Sequence, residues 1–152
     1  MGEPERVLSL EEAAITPAYV TYYYEGDRLA KVENIRENTV QSVKYLDRPW
    51  PDEELLVQHR RDYGAVPFQV LTQAVGEPTG TRRRLYHIDA ADAVVEYAEH
   101  EFDERGDLIA ESRYTPDGEL FERTEYVYDD GELVLTRELD PDGTILSEWE
   151  SP

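Results

Sequence analysis

The chain contains no cysteine, which excludes disulfides and thiolate metal sites. Lysine is scarce: Lys31 and Lys44 stand against 13 arginines. No apolar run approaches the ~18 residues that a membrane span requires. The charged stretch Met1 to Leu10 lacks the apolar core of a signal peptide. These absences lead to the expectation of a cytoplasmic protein with no membrane partner. A glycine-rich phosphate loop, a nucleophile elbow and a Ser-His-Asp arrangement are also missing. The expectation is therefore a chain that is not an enzyme and needs no cofactor.

Acid is what the sequence has in excess. The 152 residues carry 35 Asp and Glu against 15 Lys and Arg, a net charge of -20. Residues 96–152 hold 19 acids and four arginines, whereas residues 1–95 hold 16 acids and 11 bases. Such a field repels nucleic acid and anionic membranes, and it speeds encounter with a cationic protein. Solubility and adaptation to salt are the competing explanations for the same charge. The length suits one domain with its own core, here 1–152.

The acidic part is repetitive. Phe102-Asp103-Glu104-Arg105-Gly106-Asp107-Leu108 is followed by Pro116-Asp117-Gly118-Glu119-Leu120. Tyr128-Asp129-Asp130-Gly131-Glu132-Leu133 and Pro141-Asp142-Gly143-Thr144-Ile145 come next. The glycines at 106, 118, 131 and 143 are 12, 13 and 12 residues apart. The first and third turns resemble each other, as do the second and fourth. Worn copies lie at Ile88 to Val94 and at Tyr24 to Leu29. Glycine supplies the positive φ of a tight turn, and Tyr, Val, Leu and Thr fill the runs between turns. The fold class expected is mainly β: tandem antiparallel β-hairpins forming one twisted or curled sheet, with one or two short helices in the N-terminal half.

Alternation along each run then assigns faces. One set of positions gives Ala98, His100 and Phe102; Leu108, Ala110, Ser112 and Tyr114; Leu120, Glu122, Thr124, Tyr126 and Tyr128. It continues with Leu133, Leu135, Arg137 and Leu139, then Ile145, Ser147 and Trp149. The other set holds Glu99, Glu101, Glu111, Arg113, Arg123, Glu125, Thr136, Glu138, Glu148 and Glu150. This predicts one apolar, buried face and one charged, wet face.

The first half is less regular, and residues 1–85 are expected to be irregular β with short helices before the acidic hairpins of 86–150. Ser9-Leu10-Glu11-Glu12 has the form of a capping box that opens a helix ended by Pro17. Tyr19 to Tyr24, Arg28 to Ile35 and Val40 to Leu46 read as strands, and Pro49-Trp50-Pro51 breaks the run. Asp52 to Asp62 fits a short helix with Leu55, Leu56 and His59 on one side. Val66 to Val75 alternates like one strand, Gly76 to Gly80 reads as a loop, and Arg82 to Ile88 enters the array.

The Tyr-x-Tyr-Asp-x-Gly-x-Leu pattern at Tyr126 to Leu133 resembles the YD repeats of Rhs-type proteins. The Asp-Gly-x-Leu turns are similar to MORN-like repeats of some bacterial antitoxin-type proteins. The resemblance covers Tyr86 to Trp149, with one further unit at Tyr19 to Ile35. It implies tandem hairpins and a binding role, and it supplies no catalytic residue. The chain is too short for the shell of a long YD array, and its strands lack most of the MORN glycines.

Asp140-Pro141-Asp142-Gly143 has a calcium-loop flavour, but glycine is fourth instead of sixth and position twelve is Ser151, so a turn is preferred. His87 and His100 occupy related places in adjacent strands, where two imidazoles suit zinc. The preferred reading is that His100 stands where the repeat has Tyr126 and packs there, so no metal is expected. Arg82-Arg83-Arg84 and Arg60-Arg61 are expected to lie against acidic neighbours. Tyr19, Tyr22, Tyr23 and Tyr24 are read as strand packing before they are read as a recognition surface.

The functional expectation is a non-enzymatic binding protein of the immunity or antitoxin type that neutralises a cationic toxin. Glu99, Glu101, Glu111, Glu125 and Glu138 are its candidate partner-binding residues. The alternatives are a structural or scaffold repeat module and a small-ligand-binding β protein.

Overall fold

A computed structural model describes residues 17–152. The capping box at Ser9 to Glu12 lies outside the described residues. The elements run β1 (Ala18–Glu25), β2 (Arg28–Arg36), β3 (Thr39–Leu46), α1 (Glu53–Tyr63), β4 (Phe68–Leu71), β5 (Val75–Glu77) and β6 (Gly80–Ile88). They continue with β7 (Val94–Asp103), β8 (Leu108–Tyr114), β9 (Leu120–Asp129), β10 (Glu132–Leu139) and β11 (Ile145–Glu150). All eleven strands belong to one open sheet in the order β1-β2-β3-β4-β6-β7-β8-β9-β10-β11, with β5 paired beside β4 on β6. Every pairing is antiparallel except β3 with β4, which α1 connects. The mainly β, hairpin-ordered fold expected from the repeats is the fold observed.

The turns show why the sequence repeats. Four hairpins close through five-residue turns: Asp89–Ala93, Asp103–Asp107, Thr115–Glu119 and Asp140–Thr144. In each, the fourth amide donates to the first carbonyl, and the first amide donates to the fifth carbonyl. The fourth residue sits at positive φ: 66° for Asp92, 86° for Gly106, 90° for Gly118 and 92° for Gly143. Oδ1 of Asp89, Asp103 and Asp140 accepts from the third and fifth amides of its own turn. In the Thr115 turn, Oγ1 accepts from Glu119. The Asp140 segment is thus a turn held by its own carboxylate. The pairing of turns expected from spacing needs correction. The third, Asp130-Gly131, is a two-residue turn with φ of 52° and 82°, like Glu37-Asn38. The second belongs with the first and fourth.

A second regularity lies just past each turn. The register shifts by one residue in seven of the eight hairpins, at the second or third residue of the second strand, and only the β5–β6 hairpin pairs without a shift. The unmatched residues are Ala30, Gln41, Val95, Ile109, Phe121, Val134 and Leu146. Each follows a Leu, Val or Ile: Leu29, Val40, Val94, Leu108, Leu120, Leu133 and Ile145. A one-residue bulge bends its strand and adds right-handed twist. The same hairpin unit therefore builds β1 to β3 as well as β6 to β11, so the N-terminal strands are as regular as the acidic ones.

The bulges overturn the assignment of faces by alternation. Ala98 and His100 oppose Arg113 and Glu111, while Glu99 and Glu101 oppose Ser112 and Ala110. Ala110 and Ser112 in turn oppose Glu125 and Arg123. One face therefore carries Glu99, Glu101, Ala110, Ser112, Arg123, Glu125, Arg137 and Glu148. The other carries Ala98, His100, Glu111, Arg113, Glu122, Thr124, Glu138 and Trp149. Neither face is purely apolar or purely charged. Because side chains alternate with period two, one extra residue exchanges the sides.

The packed core sits under α1. Asp52 caps this helix by accepting from the amides of Glu54 and Leu55. Glu53 and Glu54 in its first turn and Arg60 and Arg61 in its last complement the helix dipole. Leu55 and His59, one turn apart, are fully buried against Val43, Tyr45, Phe68, Val70 and Ile88. The single strand expected over Val66 to Val75 is divided: β4 stops at Leu71 and β5 begins at Val75. β4 is central and buried, whereas β5 takes over the same flank of β6 further along. β5 also occupies part of the loop expected over Gly76 to Gly80. Gly80 allows a close approach there, because a Cβ would lie 1.8 Å from the Phe102 carbonyl oxygen.

Candidate partner-binding surface

Among the described residues, the sheet from β7 to β11 has no helix over it. Cross-strand ion pairs take the place of a second layer on the α1 face. Arg82 forms ion pairs with Glu77, Glu99 and Glu101 at 3.0, 2.8 and 3.4 Å, and Arg84 with Glu99 at 3.1 Å. Arg123 donates to Glu101 at 2.9 Å, to Glu125 at 3.2 Å and to Ser112 Oγ at 2.7 Å. Arg137 donates to Glu148 at 2.6 Å. On the opposite face Arg113 joins Glu96 and Glu122, each at 2.8 Å, and His100 lies 3.4 Å from Glu111. Arg82 and Arg84 thus lie against acidic neighbours, as expected, while Arg83 stacks over Phe102.

The five candidate glutamates are not brought together. Glu99, Glu101 and Glu125 share one face with Arg82, Arg84 and Arg123, and Glu99 is only 7% exposed. Glu111 and Glu138 lie on the other face. Glu111 neighbours His100, and Glu138 has no ion-pair partner among the described residues. The acids outside these pairs gather at the turns and the last strand: Asp103, Glu104, Asp107, Asp117, Glu119, Asp129, Asp130, Glu132, Asp142 and Glu150. Apolar side chains are exposed near them. Ile145, Leu146 and Trp149 on β11, and Leu133 and Val134 on β10, all reach solvent. All six residues of β11 are exposed. Sequence reasoning passed over this edge because its residues looked like one more half-buried strand.

A polar cluster lies at the other end, between α1 and β1 to β3. The Glu33 carboxyl, 7% exposed, accepts from Tyr23 at 2.6 Å and from Tyr63 at 2.5 Å. The bond to Glu33 pushes the Tyr23 hydroxyl up to about 12. Lys31 Nζ lies 4.3 Å from the centre of the Tyr23 ring. His59 donates from Nε2 to the Val66 carbonyl at 2.7 Å, which leaves Nδ1 to accept from Tyr45 at 2.7 Å. Burial holds His59 below the usual imidazole range, in keeping with this neutral form. Arg60 ties the helix end to the next hairpin, donating to Gly64, Val66 and Asp89 carbonyls and pairing with Asp92. The groups in this cluster satisfy one another, and the adjoining cleft of about 230 Å³ is open beside Arg48, Gln58 and Asp62.

His87 accepts from Gln69 Nε2 at 3.0 Å and faces Glu96, so the two array histidines are engaged separately. Among the described residues no helix is long and apolar enough to cross a membrane. No protein-family model, no curated protein and no solved structure matches the chain.

Proposed function

We propose that the chain is a non-enzymatic protein-binding module of the immunity or antitoxin type, which holds a cationic partner by direct contact. One observation carries this reading. Arg113, Arg123 and Arg137 are engaged in pairs within the sheet, while acids without an ion-pair partner among the described residues line the turns and the last strand beside exposed apolar side chains. Exposed acids alone would serve solubility. Unpaired acids next to Ile145, Leu146 and Trp149 offer both the steering charge and the apolar contact of an interface. The steering role moves from the five paired or divided glutamates to these unpaired acids.

The test is calorimetric titration with the purified product of the adjacent gene across a salt series. A complex at low salt that weakens steeply with added salt is expected. Absence of a complex at low salt overturns the reading. Among the described residues the edges at β1 and β11 are unpaired, which favours a second reading, a scaffold module that self-associates. Light scattering that shows a monomer at high concentration counts against it.

A further inference from the structure

We infer that the free edge of β11 is a docking site for an extended cationic strand of a partner protein, which joins the sheet by β-augmentation. This rests on the binding reading above and names its surface.

The backbone makes the offer. β11 pairs with β10, and no other strand of the described residues pairs with its far side. The Ser151 amide donates to the Val134 carbonyl on β10. Backbone groups alternate sides along an antiparallel strand, so Ser147 and Trp149 also face β10. Leu146, Glu148 and Glu150 therefore present their N–H and C=O groups outward.

The side chains set the sign. On the α1 face one cross-strand row reads Arg82, Glu101, Ala110, Glu125, Arg137 and Glu148. Inside the sheet, Glu101 shows how this row is satisfied. Its Oε1 takes Arg82 from one side and its Oε2 takes Arg123 from the other. At the edge, Glu148 has Oε2 on Arg137 and, among the described residues, no strand beyond to supply the second cation. Glu150 lies on the same face and has no ion-pair partner among the described residues. A lysine or arginine on an added strand completes both positions. On the opposite face, exposed Trp149 receives an apolar residue of the same strand. The preferred sequence thus alternates cation with apolar residue, as strand addition requires.

A second copy of the chain is a poorer occupant. Two β11 edges brought together place glutamates against glutamates, and like charges directly opposite are destabilising. The β1 edge is rich in tyrosine and brings no cation to Glu148.

The probe is a synthetic peptide alternating lysine with valine, added to the intact chain. Hydrogen exchange at the Glu148 and Glu150 amides is followed by NMR. Slowed exchange at both amides is expected, with no binding by a peptide N-methylated on its pairing amides. Glu148→Gln with Glu150→Gln is expected to weaken the lysine peptide about tenfold. Unchanged edge exchange, or equal binding of the N-methylated peptide, overturns the proposal and leaves only diffuse charge attraction. Edge protection that appears without peptide and grows with protein concentration overturns it in favour of self-pairing. If a cationic partner protein binds equally well to the double variant, the edge is refuted while the binding reading stands. If the peptide protects the edge but no cationic protein binds, the binding reading falls alone.

Discussion

The two ends of the sheet are made of the same hairpin and held in different ways. From β1 to β6 the sheet is backed by α1, and Val43, Tyr45, Leu55, Phe68, Val70 and Ile88 form a dry core. From β7 to β11 no layer of the described residues covers the sheet, and Arg113, Arg123 and Arg137 bridge glutamates across strands on both faces. A hairpin unit fixed by its turn and bulge tolerates either solution. The first end gains its stability from apolar burial, and the second from pairing continuous with it. Among the described residues, the second is thereby left with two uncovered faces and an unpaired edge.

The largest effect is expected where the core is deepest. Phe68→Ala should cost about 3–5 kcal/mol in urea unfolding, because Phe68 is 1% exposed and its loss opens a cavity under α1. Arg123→Met should cost about 1–2 kcal/mol, since Glu101, Glu125 and Ser112 lose a shared donor. If Arg123→Met costs as much as Phe68→Ala, the contrast between the two ends fails.

Acid should loosen both ends through histidine. Burial holds His59, His87 and His100 below the usual imidazole range. The unfolded chain therefore binds protons first, so stability falls as pH drops through about 6.5 and levels off below the folded values. Melting temperatures at pH 8 and pH 5.5 check this, and His59→Gln should flatten the slope most.

Asp140→Ala removes an acceptor of two amides and should cost about 0.5–1.5 kcal/mol, read by the same urea titration. Ile109→Ala, at an exposed bulge position, should stay within about 0.5 kcal/mol.

The turns, the strands of the array and α1 were legible in the sequence because each depends on local chemistry. Gly106 and Gly143 mark positive φ, and Asp52 marks a cap. The faces were misread because a bulge leaves no mark that alternation detects. Val95, Ile109, Phe121, Val134 and Leu146 are apolar residues that look like ordinary strand positions. Their repeated place, directly after a Leu, Val or Ile that follows each turn, is a signal that counting from the glycines would have found. The division of β4 from β5 depends on two partners sharing one flank of β6, which is a tertiary fact. The candidate glutamates all belong to one face by alternation, and the bulged register divides them between two.

The arrangement of faces is therefore the claim to test first, and the absence of native cysteine makes the test clean. Two double variants suffice: His100→Cys with Glu111→Cys, and His100→Cys with Ala110→Cys. Directly opposed residues bring their Cβ atoms to about 4.5–5.5 Å, close enough to cross-link with little movement. The structure pairs His100 with Glu111. Mild oxidation should close a disulfide in the first variant and leave the second as free thiols, read by thiol titration and mass. A disulfide in the second variant alone would restore simple alternation and contradict the bulged register.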